Sequence, residues 1–262
     1  QQTFQKAYSA GNADAVVADI LPVSGGYVLA GVAGFNTPGP NYKPLLMKIG
    51  ADGSLTWLRY YGPAYQASLD KVIEANDGGL LAVGSSHGFT SQENGQILIV
   101  KTDSDGVLQW QKIIPSYFSG RRNGGDWVQA VPGGYIISGS SAQGDSHAVL
   151  TRIDNLGNTV WSKRCFYDWG QNPRLPAFHI SGDTIFAVGI RDSFATFSLF
   201  DAGSGNPLYH RMIDGPSAEK NALEAMAPAS NGDWLLAGAV FPPSGKSVQW
   251  VCGISRTGYL LW

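Results

Sequence analysis

The sequence predicts an all-β fold, a β-propeller of five four-stranded blades, and three observations carry that expectation. An aromatic recurs at Phe4, Trp57, Trp110, Trp161, Tyr209 and Trp262, with spacings of 53, 53, 51, 48 and 53 residues. A glycine stands four residues ahead of five of them, at Gly53, Gly106, Gly157, Gly205 and Gly258. At one further phase a turn leads into a short apolar run: Gly25–Gly31, Gly78–Gly84, Gly133–Gly139, Asp183–Gly189 and Gly232–Gly238. Periods of this length, filled with short strands and glycine turns, belong to propellers and solenoids.

Residues 12–62 show the unit. Strand A alternates at Val16, Ala18 and Ile20; strand B is Gly26–Gly31; strand C is Leu45–Ile49; strand D is Leu55–Tyr61. None keeps a helical period, and each is bounded by turn residues. The repeats fall at about 10–62, 63–115, 116–166, 167–214 and 215–262, all in one domain over 1–262. Thr3–Tyr8 matches Thr56–Tyr61, a D strand with no blade before it, whereas the last repeat reaches only Trp262. Residues 3–8 are therefore expected to complete the last blade and hide its edge. A longer array, with blades after Trp262, is the alternative.

The A–B and C–D turns are tight, as in Asn76-Asp77-Gly78-Gly79 and Asp103-Ser104-Asp105-Gly106, where glycine supplies a positive φ and aspartate caps. The B–C and D–A connections are long. Because strands alternate in direction, the long loops share one face, and binding groups collect on such loops. The candidates there are Tyr42, Tyr65, His87, Phe89, Tyr117, Phe118, Arg121, Arg122, His147, Tyr167, Trp169 and Arg174. Several of these aromatics could equally fill gaps between blades. Counting twelve residues back from the second turn position gives Asp14, Ala67, Arg122, Asn172 and Asn221 at the mouth of a central channel. Asp14, Asn172 and Asn221 could hold a polar ligand there, or be hydrated.

Lys and Arg total 18 against 20 Asp and Glu, so no basic footprint points to nucleic acid. No apolar run approaches the roughly 20 residues that span a bilayer as a helix. Cys165 and Cys252 have no Cys or His at metal-ligand spacing and read as unpaired, partly buried thiols. No G-x-S-x-G, H-E-x-x-H, P-loop or C-x-x-C motif occurs. His87 and His147 occupy equivalent B–C loops and could share a ligand or simply be exposed. Glycoside hydrolysis needs two carboxyl groups across a scissile bond. Asp14, Asp70, Asp126 and Glu224 lie on or near A strands, but their phases read as different and the fourth repeat offers none. No catalytic residue, metal or cofactor is expected from this pattern.

The unit G-G-Y-hydrophobic-hydrophobic-A-G, followed by hydrophobic-K-x-D-x-x-G-x-x-x-W-x-K-x-hydrophobic, is seen best in Gly25–Gly31 with Lys48–Tyr61 and in Lys101–Lys112. It resembles the tandem propeller repeats of secreted and surface proteins of Bacteroidota-type bacteria, associated with type 9 secretion. The fourth and fifth repeats depart from it, with Ala202 and Ser255 in place of the turn aspartate. The resemblance implies a secreted or outer-surface location and a non-catalytic binding or scaffold role toward a protein partner or surface component. A lectin-like glycan binder is the alternative, and a glycoside hydrolase the third reading.

Overall fold

Each repeat opens with a hairpin whose turn fixes its register. In the first, Val23 pairs with Gly26 across Ser24 and Gly25, and Gly25 takes a φ of 79°, a conformation that glycine adopts without a Cβ penalty. In this computed structural model residues 4–9, 14–34, 42–62, 66–86, 96–114, 122–142, 147–165, 173–216, 220–242 and 245–262 are described. Among them every regular element is a β-strand. The chain forms two compact units, residues 1–137 with 154–158 and residues 138–153 with 159–262.

In the first unit, β1 (Ala15–Val23), β2 (Gly26–Ala33), β3 (Lys43–Gly50) and β4 (Leu55–Tyr60) form a four-stranded antiparallel sheet in chain order. The next sheet repeats it with β5 (Ala67–Glu74), β6 (Leu80–Ser86), β7 (Gln96–Thr102) and β8 (Leu108–Ile114). Val28, Ala30 and Leu46 of the first sheet pack on Leu69, Val72, Leu80 and Leu98 of the second, with Trp57 and Tyr61 at the margin. The opposite side of β1 is more open: Val17 and Ile20 are 48% and 55% exposed, against 0% and 1% for their counterparts Leu69 and Val72.

A third set follows in the same order: β9 (Arg122–Val131), β10 (Gly134–Ala142), β11 (His147–Asp154) and β12 (Thr159–Arg164). Here β9 also pairs with β6, through Ser85 and Gly124, which fuses two sheets into one of eight strands. Glycine permits that approach, because a Cβ on Gly125 would stand 3.1 Å from Ile97 and 3.2 Å from Val83.

In the second unit, β13 (Arg174–Ser181), β14 (Thr184–Arg191), β15 (Phe194–Asp201) and β16 (Pro207–Met212) again pair in order. The last sheet has three strands, β17 (Lys220–Pro228), β18 (Trp234–Phe241) and β19 (Val248–Ile254), and beyond β19 a single bridge joins Ile254 to Leu260.

The fifty-residue aromatic has a specific seat. A Cβ on Gly106 would fall 2.8 Å from the Trp57 ring, on Gly157 2.8 Å from Trp110, on Gly205 2.7 Å from Trp161, and on Gly258 2.9 Å from Tyr209. Each D-strand aromatic therefore lies on the C–D turn glycine of the following repeat, and all four glycines have positive φ. Two constraints, the turn and the ring above it, explain why glycine and aromatic share one period. Phe4 sits in the same way on Gly53, and the Tyr8 hydroxyl donates to the Gly53 carbonyl at 2.7 Å, as Tyr61 does to Gly106. Residues 4–9 themselves carry no strand.

Candidate functional site

The first strand is bulged in the first, second, fourth and fifth repeats, and in two of them the bulge places a carboxylate. In β1, β5 and β17 the register breaks between Val17 and Asp19, between Leu69 and Lys71, and between Leu223 and Ala225. Ala18, Asp70 and Glu224 are therefore the extra residues, two opposing one across the hairpin. Asp126 stands five residues before Val131, as Ala18 stands five before Val23, with two-residue turns following both. The expectation that these acids differ in phase is thus corrected for Asp70 and Glu224, which hold one bulged position, while Asp126 stands at the same count from its turn and Asp14 lies four residues before the corresponding Ala18. Sequence counting missed it because the turns after β5 and β17, closed by Ala75 N–H to Gly79 and Ala229 N–H to Asp233, are one residue longer than Ser24-Gly25. In β13 the matching break brackets Pro176, whose missing N–H suits an unpaired position.

In the first unit β5 and β9 are neighbours, so Asp70 and Asp126 lie on adjoining strands. The residues next along join directly. Lys71 Nζ donates to Asp19 Oδ1 at 2.9 Å and stands 4.2 Å from the centroid of the Trp127 ring. The second Asp19 oxygen accepts from the Val72 amide at 2.9 Å. The row Asp19–Lys71–Trp127 is half-buried and ties three successive first strands together. An ammonium over an indole is attracted by the ring quadrupole, by about 0.5–2 kcal/mol. None of these three residues was a candidate from sequence. Aligning the repeats backward from their two-residue turns would have put Asp19 and Trp127 in one layer.

The channel-mouth residues fare differently. Ala67 faces Ser86 and Asn221 faces Val240, but the matching residue in the first repeat, opposite Ala33, is Ala15. Asp14 lies one residue earlier, exposed, with its carbonyl accepting from Gly34 at 2.7 Å. Asn221 is buried at 1% exposure, and its side-chain oxygen accepts from the Ala195 amide at 2.6 Å, which makes it a tie between β15 and β17. Asn172 lies outside the described residues.

Of the long-loop candidates, Tyr42 is half-buried and its carbonyl accepts from Ala67 N–H at 3.2 Å, while Arg174 is exposed at the start of β13. Arg122 opens β9 and His147 opens β11. Tyr65, His87, Phe89, Tyr117, Phe118, Arg121, Tyr167 and Trp169 lie outside the described residues. Both thiols are free and buried; burial pushes Cys165 well above the ordinary range and Cys252 up to about 11. Neither is poised as a nucleophile. Among the described residues no group of three His, Cys, Asp or Glu is placed to hold a metal. No helix among them is long and apolar enough to cross a membrane.

No family model matches the chain and no curated protein matches it. Solved structures do. The Dos1 propeller is similar at 14% identity with a TM-score of 0.56, over 90% of this chain and 55% of that one. An endo-1,4-β-xylanase from Bacteroides thetaiotaomicron is similar at 10% identity and 0.50, over 92% and 91%. A levansucrase of B. megaterium is similar at 8% and 0.51, over 96% and 85%. The chain has a β-propeller fold. The expectation of a non-catalytic module is corrected by the same comparison: enzymes, a xylanase among them, are built on this fold across nearly their whole length.

Proposed function

We propose that this chain is a glycan-active propeller that hydrolyses glycosidic bonds with the carboxyl groups of Asp70 and Asp126. The observation that supports the reading most is that both stand at the same count from their hairpin turns on adjoining first strands, the strands nearest a propeller's axis, with Trp127 next in the chain. Hydrolysis asks for this inventory: one carboxyl group protonates the leaving oxygen, and the other takes a proton from the attacking water or attacks the anomeric carbon itself. An indole face next to the pair suits the apolar face of a pyranose ring. The similarity to a xylanase fold fits this reading without specifying the sugar.

Two further elements belong to the proposal. Five blades are supported by the glycine seat that recurs under Phe4, Trp57, Trp110, Trp161 and Tyr209, at Gly53, Gly106, Gly157, Gly205 and Gly258. An exported location suits an enzyme whose substrate is an extracellular polymer.

The test is product release from a panel of xylo-, arabino-, galacto- and fructo-oligosaccharides. Asp70→Asn and Asp126→Asn should each lower kcat by roughly 10²–10⁴ while thermal unfolding stays close to that of the parent. Equal rates in the parent and both variants would remove the assignment.

A further inference from the structure

Resting on that reading, we infer that Asp19 is a specificity-determining residue: by holding Lys71 against Trp127 it restricts the site to uncharged sugars and keeps out uronic acids. A lysine next to Asp70 on a strand that adjoins the one carrying Asp126 would ordinarily supply the cation that an acidic sugar needs. Here its ammonium is already committed. One Asp19 oxygen receives it at 2.9 Å, the indole of Trp127 lies 4.2 Å away, and only 20% of the lysine side chain and 15% of the aspartate side chain are exposed. The aspartate cannot easily turn away, because its other oxygen is held by the Val72 amide at 2.9 Å. The Asp19–Lys71 pair is neutral as a unit, so it offers an incoming carboxylate no net attraction. Reaching Lys71 would require breaking a charge-assisted hydrogen bond in a half-buried setting.

The same contacts orient the ring. Lys71 covers one side of the Trp127 indole. A neutral pyranose, which stacks through C–H groups and needs no counter-charge, is the chemical class this arrangement takes. Asp19 acts through Lys71 and need not touch the substrate.

Calorimetric titration of the intact chain with xylotriose and with trigalacturonic acid tests this, using binding rather than turnover. The expected result is that xylotriose binds and that trigalacturonate binds at least roughly tenfold more weakly. Asp19→Asn, which releases the ammonium, should narrow that gap by roughly 5- to 10-fold, the scale of one partly exposed ion pair. Lys71→Met, which leaves the Asp19 carboxylate without its counter-charge, should weaken trigalacturonate by a larger factor than xylotriose and so widen the gap, which covers the case of an Asp19 variant that does not fold. Trigalacturonate binding as tightly as xylotriose, an unchanged ratio in Asp19→Asn, or binding of neither sugar would overturn the inference. Xylotriose binding with the expected discrimination but no turnover of any glycan would leave it standing and remove only the hydrolytic reading.

Discussion

Lys101 shows what a buried charge requires. It is 2% exposed, and its ammonium meets both Asp77 oxygens at 2.8 and 2.9 Å, the Thr102 carbonyl at 2.8 Å and Gln109 Oε1 at 2.7 Å. Removing one partner of such a pair leaves an uncompensated charge, whereas removing the charge itself leaves a site that an apolar chain can fill. Asp77→Ala is therefore expected to destabilise by about 1–3 kcal/mol, reduced from the fully buried figure because Asp77 is itself half exposed, and Lys101→Met by less. Urea unfolding of the two variants ranks them; the reverse order would contradict this account. Four turn carboxylates have pKa values lowered by hydrogen bonding: Asp52 by Ser54, Asp77 by Lys101, Asp154 by Asn158 and Asp201 by Ser204. Their folded values lie below their unfolded ones. The stability they contribute is full above about pH 4 and is lost as the pH falls through the lower folded values. Melting temperatures should be flat in this respect from pH 7 to 5 and decline below pH 4.

At the scale of elements, two devices repeat with different legibility. The C–D turn was readable, because its glycine and aromatic are separated by a fixed four residues and both are rare enough to stand out. Gly106→Ala should cost at least about 1–2 kcal/mol, since alanine at a φ of 75° is strained and its methyl would meet the Trp57 ring. Unfolding monitored by Trp fluorescence checks this, and an unchanged midpoint would argue against the seat. The first-strand bulge was not readable. A bulge adds one residue without a sequence signature, and the longer turn after β5 shifts the count by one, so Asp70 looked out of phase with Asp126. Asp19, Lys71 and Trp127 share a layer without sharing a residue type, and contacts between unlike residues on different repeats leave no periodic trace. The glycine pair Gly124-Gly125 was visible, but its use in joining β9 to β6 depends on a close approach that only coordinates reveal.

At the scale of the molecule, the repeat specifies the scaffold and the exceptions to it specify the chemistry. Positions that keep the period, such as Trp57 on Gly106, hold successive sheets together. The bulge position varies among alanine, aspartate, proline and glutamate, and that variation is where a site can differ from strand to strand. The near-balance of charge gives no long-range attraction to polyanions, which accords with a substrate class of neutral glycans. The central claim, that Asp70 and Asp126 cut glycosidic bonds, is met most directly by following anomeric proton signals in a mixture of neutral oligosaccharides incubated with the chain. New reducing-end signals should grow with the parent protein and be suppressed by roughly 10²–10⁴ with Asp126→Asn. An unchanged spectrum with stoichiometric parent protein, or equal growth with the variant, would contradict it.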